Sequence, residues 1–162
     1  MVIPKHKRKK ILKDSVDFWL KNYTNKKYGS SYDIEIITDK CLSRDTRLIK
    51  SSKSHSNLIF SPSKTALMSK KNDQEIELIL IMEVADSVSL NDISDMLIYC
   101  KIARPIEAFI LSTHGITAPV EMMLLNKNRI EKCSDYAENL IKICIYDTKK
   151  NEIIREIISI GD

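Results

Sequence analysis

From Ile11 the apolar residues Leu12, Val16, Trp19, Leu20 and Tyr23 fall at i, i+4, i+7, i+8 and i+11. That spacing lines one face of an α-helix and predicts a helix that ends in the polar stretch 24–31, where Gly29 supplies a turn. Alternation then takes over: Asp33-Ile34-Glu35-Ile36-Ile37-Thr38 reads as a strand with one buried face. A Ser-rich loop over 40–56 follows, with Arg47-Leu48-Ile49 as a possible short strand inside it. The pattern becomes β again at Leu58-Ile59-Phe60 and at Thr65-Ala66-Leu67-Met68, either side of Pro62. After a polar turn over 69–74, the nearly continuous apolar run Ile76, Leu78 to Met82 and Val84 is what a central strand covered on both faces requires.

Ser89, with Asp92 three residues on, makes a capping-box-like start for a second helix over 89–102, with Leu90, Ile93, Leu97 and Cys100 along one side. Arg104-Pro105 stops it, and Glu107-Ala108-Phe109-Ile110-Leu111 is another buried strand. Strand, helix and strand with short links predict a right-handed crossover between parallel strands. Beyond the turn Thr113-His114-Gly115, a short helix is expected over 118–125, starting around Pro119. Residues 140–146 and 152–160 form a closing hairpin about the turn 147–151. The apolar cluster Met122-Met123-Leu124-Leu125 is assigned to the core. The whole reads as a single α/β domain over 11–162 behind a basic, flexible N-terminus at 1–10.

No apolar run approaches the ~18 residues of a membrane span, and the basic first ten residues are not followed by the apolar segment of a secretory signal. A soluble, cytoplasmic protein with no membrane partner is expected. Cys41, Cys100, Cys133 and Cys144 form no CxxC pair, and they read as reduced, mostly buried small hydrophobes. Charge is more informative than total composition. Residues 1–71 hold 17 Lys and Arg against 6 Asp and Glu, whereas residues 72–162 hold 9 against 16. Such a split suits a nucleic-acid-binding side opposite an acidic one, because phosphate contacts need clustered cations. A solvated tail and loop would look the same.

The predicted order of helix, strand, hairpin, helix and strand, together with Pro62-Ser63 before one strand and Glu83-Val84-Ala85 at the end of the next, resembles the PD-(D/E)XK nuclease superfamily over residues 8–112. The resemblance implies an α/β fold with the restriction-endonuclease-like core (α-β-β-β-α-β), to which a C-terminal helix and β-hairpin are added. In that family a Pro-Asp and a Glu-x-Lys place two carboxylates on Mg²⁺ and a lysine beside the attacking water. Here Ser63 stands where the metal-binding Asp would be and Ala85 where the Lys would be, so only Glu83 carries over. One carboxylate binds a hard divalent cation poorly, and no catalytic residue, metal or other cofactor is expected. Asp86, Lys64 and Glu77 are the residues through which a migrated, Mg²⁺-dependent site could be rebuilt.

His6, His55 and His114 are too scattered for a metal motif and read as surface residues. With only three glycines, the chain has no Gly-rich phosphate loop. Phosphate contacts are instead expected from Lys5, Lys7, Arg8, Lys9, Lys10, Arg44, Arg47, Lys50, Lys53 and Lys64. Ten aromatic residues give little support to a base-stacking platform. The resulting expectation is a non-catalytic nucleic-acid-binding or scaffolding subunit in nucleic-acid metabolism, with a protein partner or homodimer as a further possibility. The alternatives are a metal-dependent nuclease with a rearranged site and a purely protein-interacting accessory subunit.

Overall fold

The structure, a computed structural model, describes residues 3–38, 64–71, 75–125 and 141–160. Among the described residues the chain is a mixed α/β fold with a six-stranded mixed sheet and three helices. The elements run α1 (Lys5–Tyr28), β1 (Tyr32–Thr38), β2 (Lys64–Lys70), β3 (Ile76–Val84), α2 (Leu90–Ala103), β4 (Glu107–Ser112), α3 (Ala118–Leu124), β5 (Ile141–Asp147) and β6 (Glu152–Ile160). Strand order in the sheet follows chain order. β1, β2 and β3 are antiparallel, β4 and β5 continue parallel to β3, and β6 folds back antiparallel on β5.

Pleating divides the buried side chains between two cores. Ile79 and Ile81 of β3, Phe109 and Leu111 of β4, and Cys144 and Tyr146 of β5 pack with Leu12, Val16 and Leu20 of α1. The alternate residues Leu78 and Leu80, Ala108 and Ile110, and Ile141 and Ile143 pack with Ile93, Met96 and Cys100 of α2 and Val120 of α3. The sheet is therefore the middle of three layers, which explains why β3 and β4 are apolar at successive positions and not at alternate ones. β1, at the edge, alternates exposed and half-buried residues up to Ile36.

The helix boundaries follow from local chemistry. Ser89 accepts a hydrogen bond from the Asp92 amide, and the Asp92 carboxylate accepts one from the Ser89 amide, closing the expected capping box. Arg104 ends α2 in a left-handed conformation (φ 47°) immediately before Pro105. Gly115, at φ 86°, takes a backbone conformation that side chains disfavour, and it turns the chain between β4 and α3.

Three readings need correction. α1 begins at Lys5, just after Pro4, so most of the N-terminal basic segment is helical. α1 also continues to Tyr28, because Thr24, Lys27 and Tyr28 all find partners: the Thr24 hydroxyl bonds the Leu20 carbonyl, and the other two reach Glu107. Finally, Met122 and Leu125 are 72% and 81% exposed; a single short helix can turn only one side to the sheet, and here that side carries Val120, Met123 and Leu124. Arg47–Ile49 and Leu58–Phe60 lie outside the described residues, as do Cys41, Cys133 and His55. Cys100 and Cys144 are buried free thiols, pushed up to about 12 by burial. His6 and His114 are exposed.

Candidate functional site

Lys64 is the first residue of β2, Glu83 is near the end of β3, and both point to the α1 side of the sheet. In the register Lys64 lies opposite Ile81, which makes Glu83 its diagonal neighbour two positions on, within reach of a long side chain. α1 passes over them and contributes Asp17. The Lys64 ammonium stands 3.5 Å from Asp17 Oδ1 and 3.6 Å from Glu83 Oε1. The Lys64 and Glu83 side chains are each 2% exposed, whereas Asp17 keeps an edge in solvent. Burial raises the Glu83 pKa, against the opposing pull of Lys64 and Lys13, and Asp17 adds to the rise.

Glu83 also borders an open pocket of about 320 Å³, lined besides by Lys5, Lys9, Asp86, Ser89 and Asp92. Asp86, in the bend after β3, accepts from Lys5 at 2.7 Å and lies 3.4 Å from an Arg8 guanidinium nitrogen. The Lys5 hydrogen bond, with Arg8 and His114 adding positive charge, holds the Asp86 carboxyl below its usual range.

Some of the residues singled out from the sequence lie close together. Glu83 and Lys64 meet, and Asp86 sits beside them. Ala85 follows the strand with no group to offer, and Ser63 lies outside the described residues with Arg44, Arg47, Lys50 and Lys53. Glu77 shares the pleat face of Glu83, but it lies six residues earlier along β3, about 20 Å away at strand rise. Lys5, Lys7, Lys9 and Lys10 are exposed and Arg8 is half-buried. Lys64 departs from the surface role expected of it, because two carboxylates draw its ammonium into the interior.

A divalent cation bound by few protein oxygens depends on carboxylate charge that no other cation neutralises. Between Asp17 and Glu83 that compensation comes from Lys64, so the residues as placed do not fit Mg²⁺. Among the described residues no group of three His, Cys, Asp or Glu side chains is positioned to hold a metal ion.

A second charged group lies on the same face at the other end of α1. Glu107 opens β4, and its carboxylate accepts from Tyr23 at 2.7 and 2.8 Å, from Lys27 at 2.7 Å and from Tyr28 at 2.9 Å, with Lys142 3.6 Å away. Burial alone would raise the Glu107 pKa, but these hydrogen bonds outweigh it and hold the carboxyl below its ordinary value. Trp19 stacks on Tyr23 at 5.1 Å and meets Phe109 edge-on at 5.5 Å. These aromatics thus serve the α1–sheet contact, and the saturated hydrogen bonding marks the cluster as a structural staple.

Replacing Glu107 with Gln should cost about 2–4 kcal/mol, since a neutral amide cannot accept from all three donors. Lys27, 45% exposed, can turn back to water, which keeps the loss below that of a sealed ion pair. The depressed pKa means that Glu107 adds stability above its unfolded value near 4.5 and loses it as pH falls through the folded value. Urea titrations of the wild type and Glu107→Gln should therefore converge on acidification. A gap that stays constant between pH 7 and pH 3 would contradict this.

The sequence reading named neither Asp17 nor the Glu107 staple. A signal existed for the second: a carboxylate opening an otherwise apolar, fully buried strand demands partners. No family model, curated protein or solved structure matches the chain. Among the described residues no helix is long and apolar enough to cross a membrane.

Proposed function

We propose that the protein is a non-catalytic nucleic-acid-binding or scaffolding subunit built on a degenerate restriction-endonuclease-like core. The observation that carries the reading is the position of Lys64, whose ammonium lies between Asp17 and Glu83, the one motif carboxylate that the resemblance carries over. The order α1, β1, β2, β3, α2, β4, with β1 to β3 antiparallel and β4 parallel to β3, supports the same assignment, with α3 and the β5–β6 hairpin as additions. Nucleic acid is favoured as the ligand by the exposed cations Lys5, Lys7, Lys9 and Lys10 on the first turns of α1, of which Lys5 and Lys9 line the pocket.

A second reading, a metal-dependent nuclease with a rearranged site, draws on the same trio. A lysine and two carboxylates do converge, so a displacement of Lys64 would restore the donor charge. One assay separates the two. With labelled DNA and RNA in Mg²⁺ or Mn²⁺, the protein should retain the strands on a filter at low salt and leave them intact. Log K should fall with log salt by roughly 0.9 for each duplex phosphate neutralised. Cleavage that Glu83→Ala abolishes would establish the nuclease reading. Absence of retention at low salt would leave a protein-interacting accessory subunit.

A further inference from the structure

Five cations, Lys5, Lys7, Arg8, Lys9 and Lys10, occupy six successive positions at the start of α1. This is the electrostatically wrong end of a helix for them, because the unsatisfied amides there already carry partial positive charge. The usual remedies are missing: the first turn has no acidic residue, and Pro4 offers no side-chain cap. Among the described residues, Lys7, Lys9 and Lys10 have no acidic partner. Asp86 relieves the cluster by its contacts with Lys5 and Arg8.

Asp86 is held in place to do this. Ser112, fully buried at the end of β4, donates its hydroxyl to the Asp86 carbonyl at 2.6 Å. The Thr113 hydroxyl bonds the preceding carbonyl, that of Ala85, at 3.5 Å. The backbone of the bend is thus anchored to β4, while the carboxylate stays at the surface, 45% exposed, facing two cations. A single carboxylate bridging two basic side chains reproduces the charge and acceptor geometry with which a phosphodiester would engage them.

We infer that Asp86 is a built-in competitor for phosphate: it occupies Lys5 and Arg8 in the free protein and is displaced when a nucleic-acid backbone settles across the first two turns of α1. The inference rests on the nucleic-acid reading above and adds its regulation. Displacement returns one anionic group to solvent for every phosphate gained at this point, so the wild type binds less tightly and with a shallower salt dependence than its cation count allows. Lys7, Lys9 and Lys10 are free of this competition and supply the initial attraction.

Asp86→Asn tests it, because the amide keeps the size of the side chain and leaves the anchoring carbonyl untouched. Binding of a fluorescent 20-mer DNA duplex and a single-stranded RNA would be followed by anisotropy across a salt series, beside Glu75→Gln. Glu75 is exposed just before β3, at the end opposite Asp86, and its replacement changes net charge equally. Asp86→Asn should tighten binding about three- to tenfold at low salt and steepen the log K against log salt slope by up to ~0.9 per phosphate newly engaged. Glu75→Gln should change neither. In a Lys5→Gln/Arg8→Gln background, Asp86→Asn should gain nothing. If the wild type binds but Asp86→Asn and Glu75→Gln behave alike, or if the gain survives loss of Lys5 and Arg8, the competitor role is overturned and the nucleic-acid reading stands. If neither the wild type nor Asp86→Asn binds at low salt, it is the nucleic-acid reading that falls.

Discussion

Replacing Lys64 with Met should destabilise the protein by about 3–5 kcal/mol at pH 7, because it removes the buried ammonium 3.6 Å from the buried Glu83 carboxylate and leaves only the weaker pull of Lys13 among the cations named above. The cost should shrink as the pH is lowered. Burial already raises the Glu83 pKa, and its folded form takes up a proton before the unfolded chain does. For such a group the contribution to stability is present below the unfolded value of about 4.5 and is lost as pH rises through the folded value. Removing Lys64 lifts the folded value further and widens that window. Urea unfolding of wild type and variant at pH 5 and pH 7, compared as differences, reads this directly. The double replacement Lys64→Met with Glu83→Gln should recover most of the loss, since a buried ion pair returns little more than its own desolvation cost. A single-variant loss under about 1 kcal/mol at pH 7 would mean that water reaches the trio, and would remove the main support for a non-catalytic site.

The second large effect is expected at Ile81. It is fully buried on β3, flanked by Lys64 on β2 and Phe109 on β4, and it belongs to the core under α1. Ile81→Ala should cost roughly 2–5 kcal/mol, the removed methyl groups and the unfilled cavity both contributing. The midpoint of chemical denaturation should fall with an unchanged slope, since the surface exposed on unfolding is nearly the same. A loss below about 0.5 kcal/mol would place β3 at a sheet edge and contradict the three-layer arrangement.

The elements most legible in the sequence are those whose local signals agree with the tertiary demand. The run from Ile76 to Val84 is apolar at successive positions because both faces of β3 are covered, and Ser89 with Asp92 caps α2 through atoms only three residues apart. The first turns of α1 are illegible because they carry exposed cations in place of an apolar periodicity, and neither a side-chain cap nor an acidic first turn announces the helix start. Lys64 looked like any other basic residue beside a loop. Its burial depends on the β2–β3 register and on α1 delivering Asp17, neither of which is written locally. Met122 and Leu125 misled for the opposite reason, since apolar character marks a residue as able to be buried, not as buried.

The way α1 is secured bears on how the protein is made. The Tyr146 hydroxyl donates to the Ser15 carbonyl across 131 positions of chain, and the Ser15 hydroxyl reaches Asn151. α1 leaves the ribosome before the strands it covers, yet the surface beneath it is complete only when β5 has emerged. Until then Leu12, Val16 and Leu20 can cover β2, β3 and β4 but not Cys144 and Tyr146, which complete that core. Such long-range closure slows folding and leaves apolar surface open to other chains in the meantime. Newly synthesised copies are therefore most exposed to aggregation and to chaperone capture before residues 141–147 have emerged.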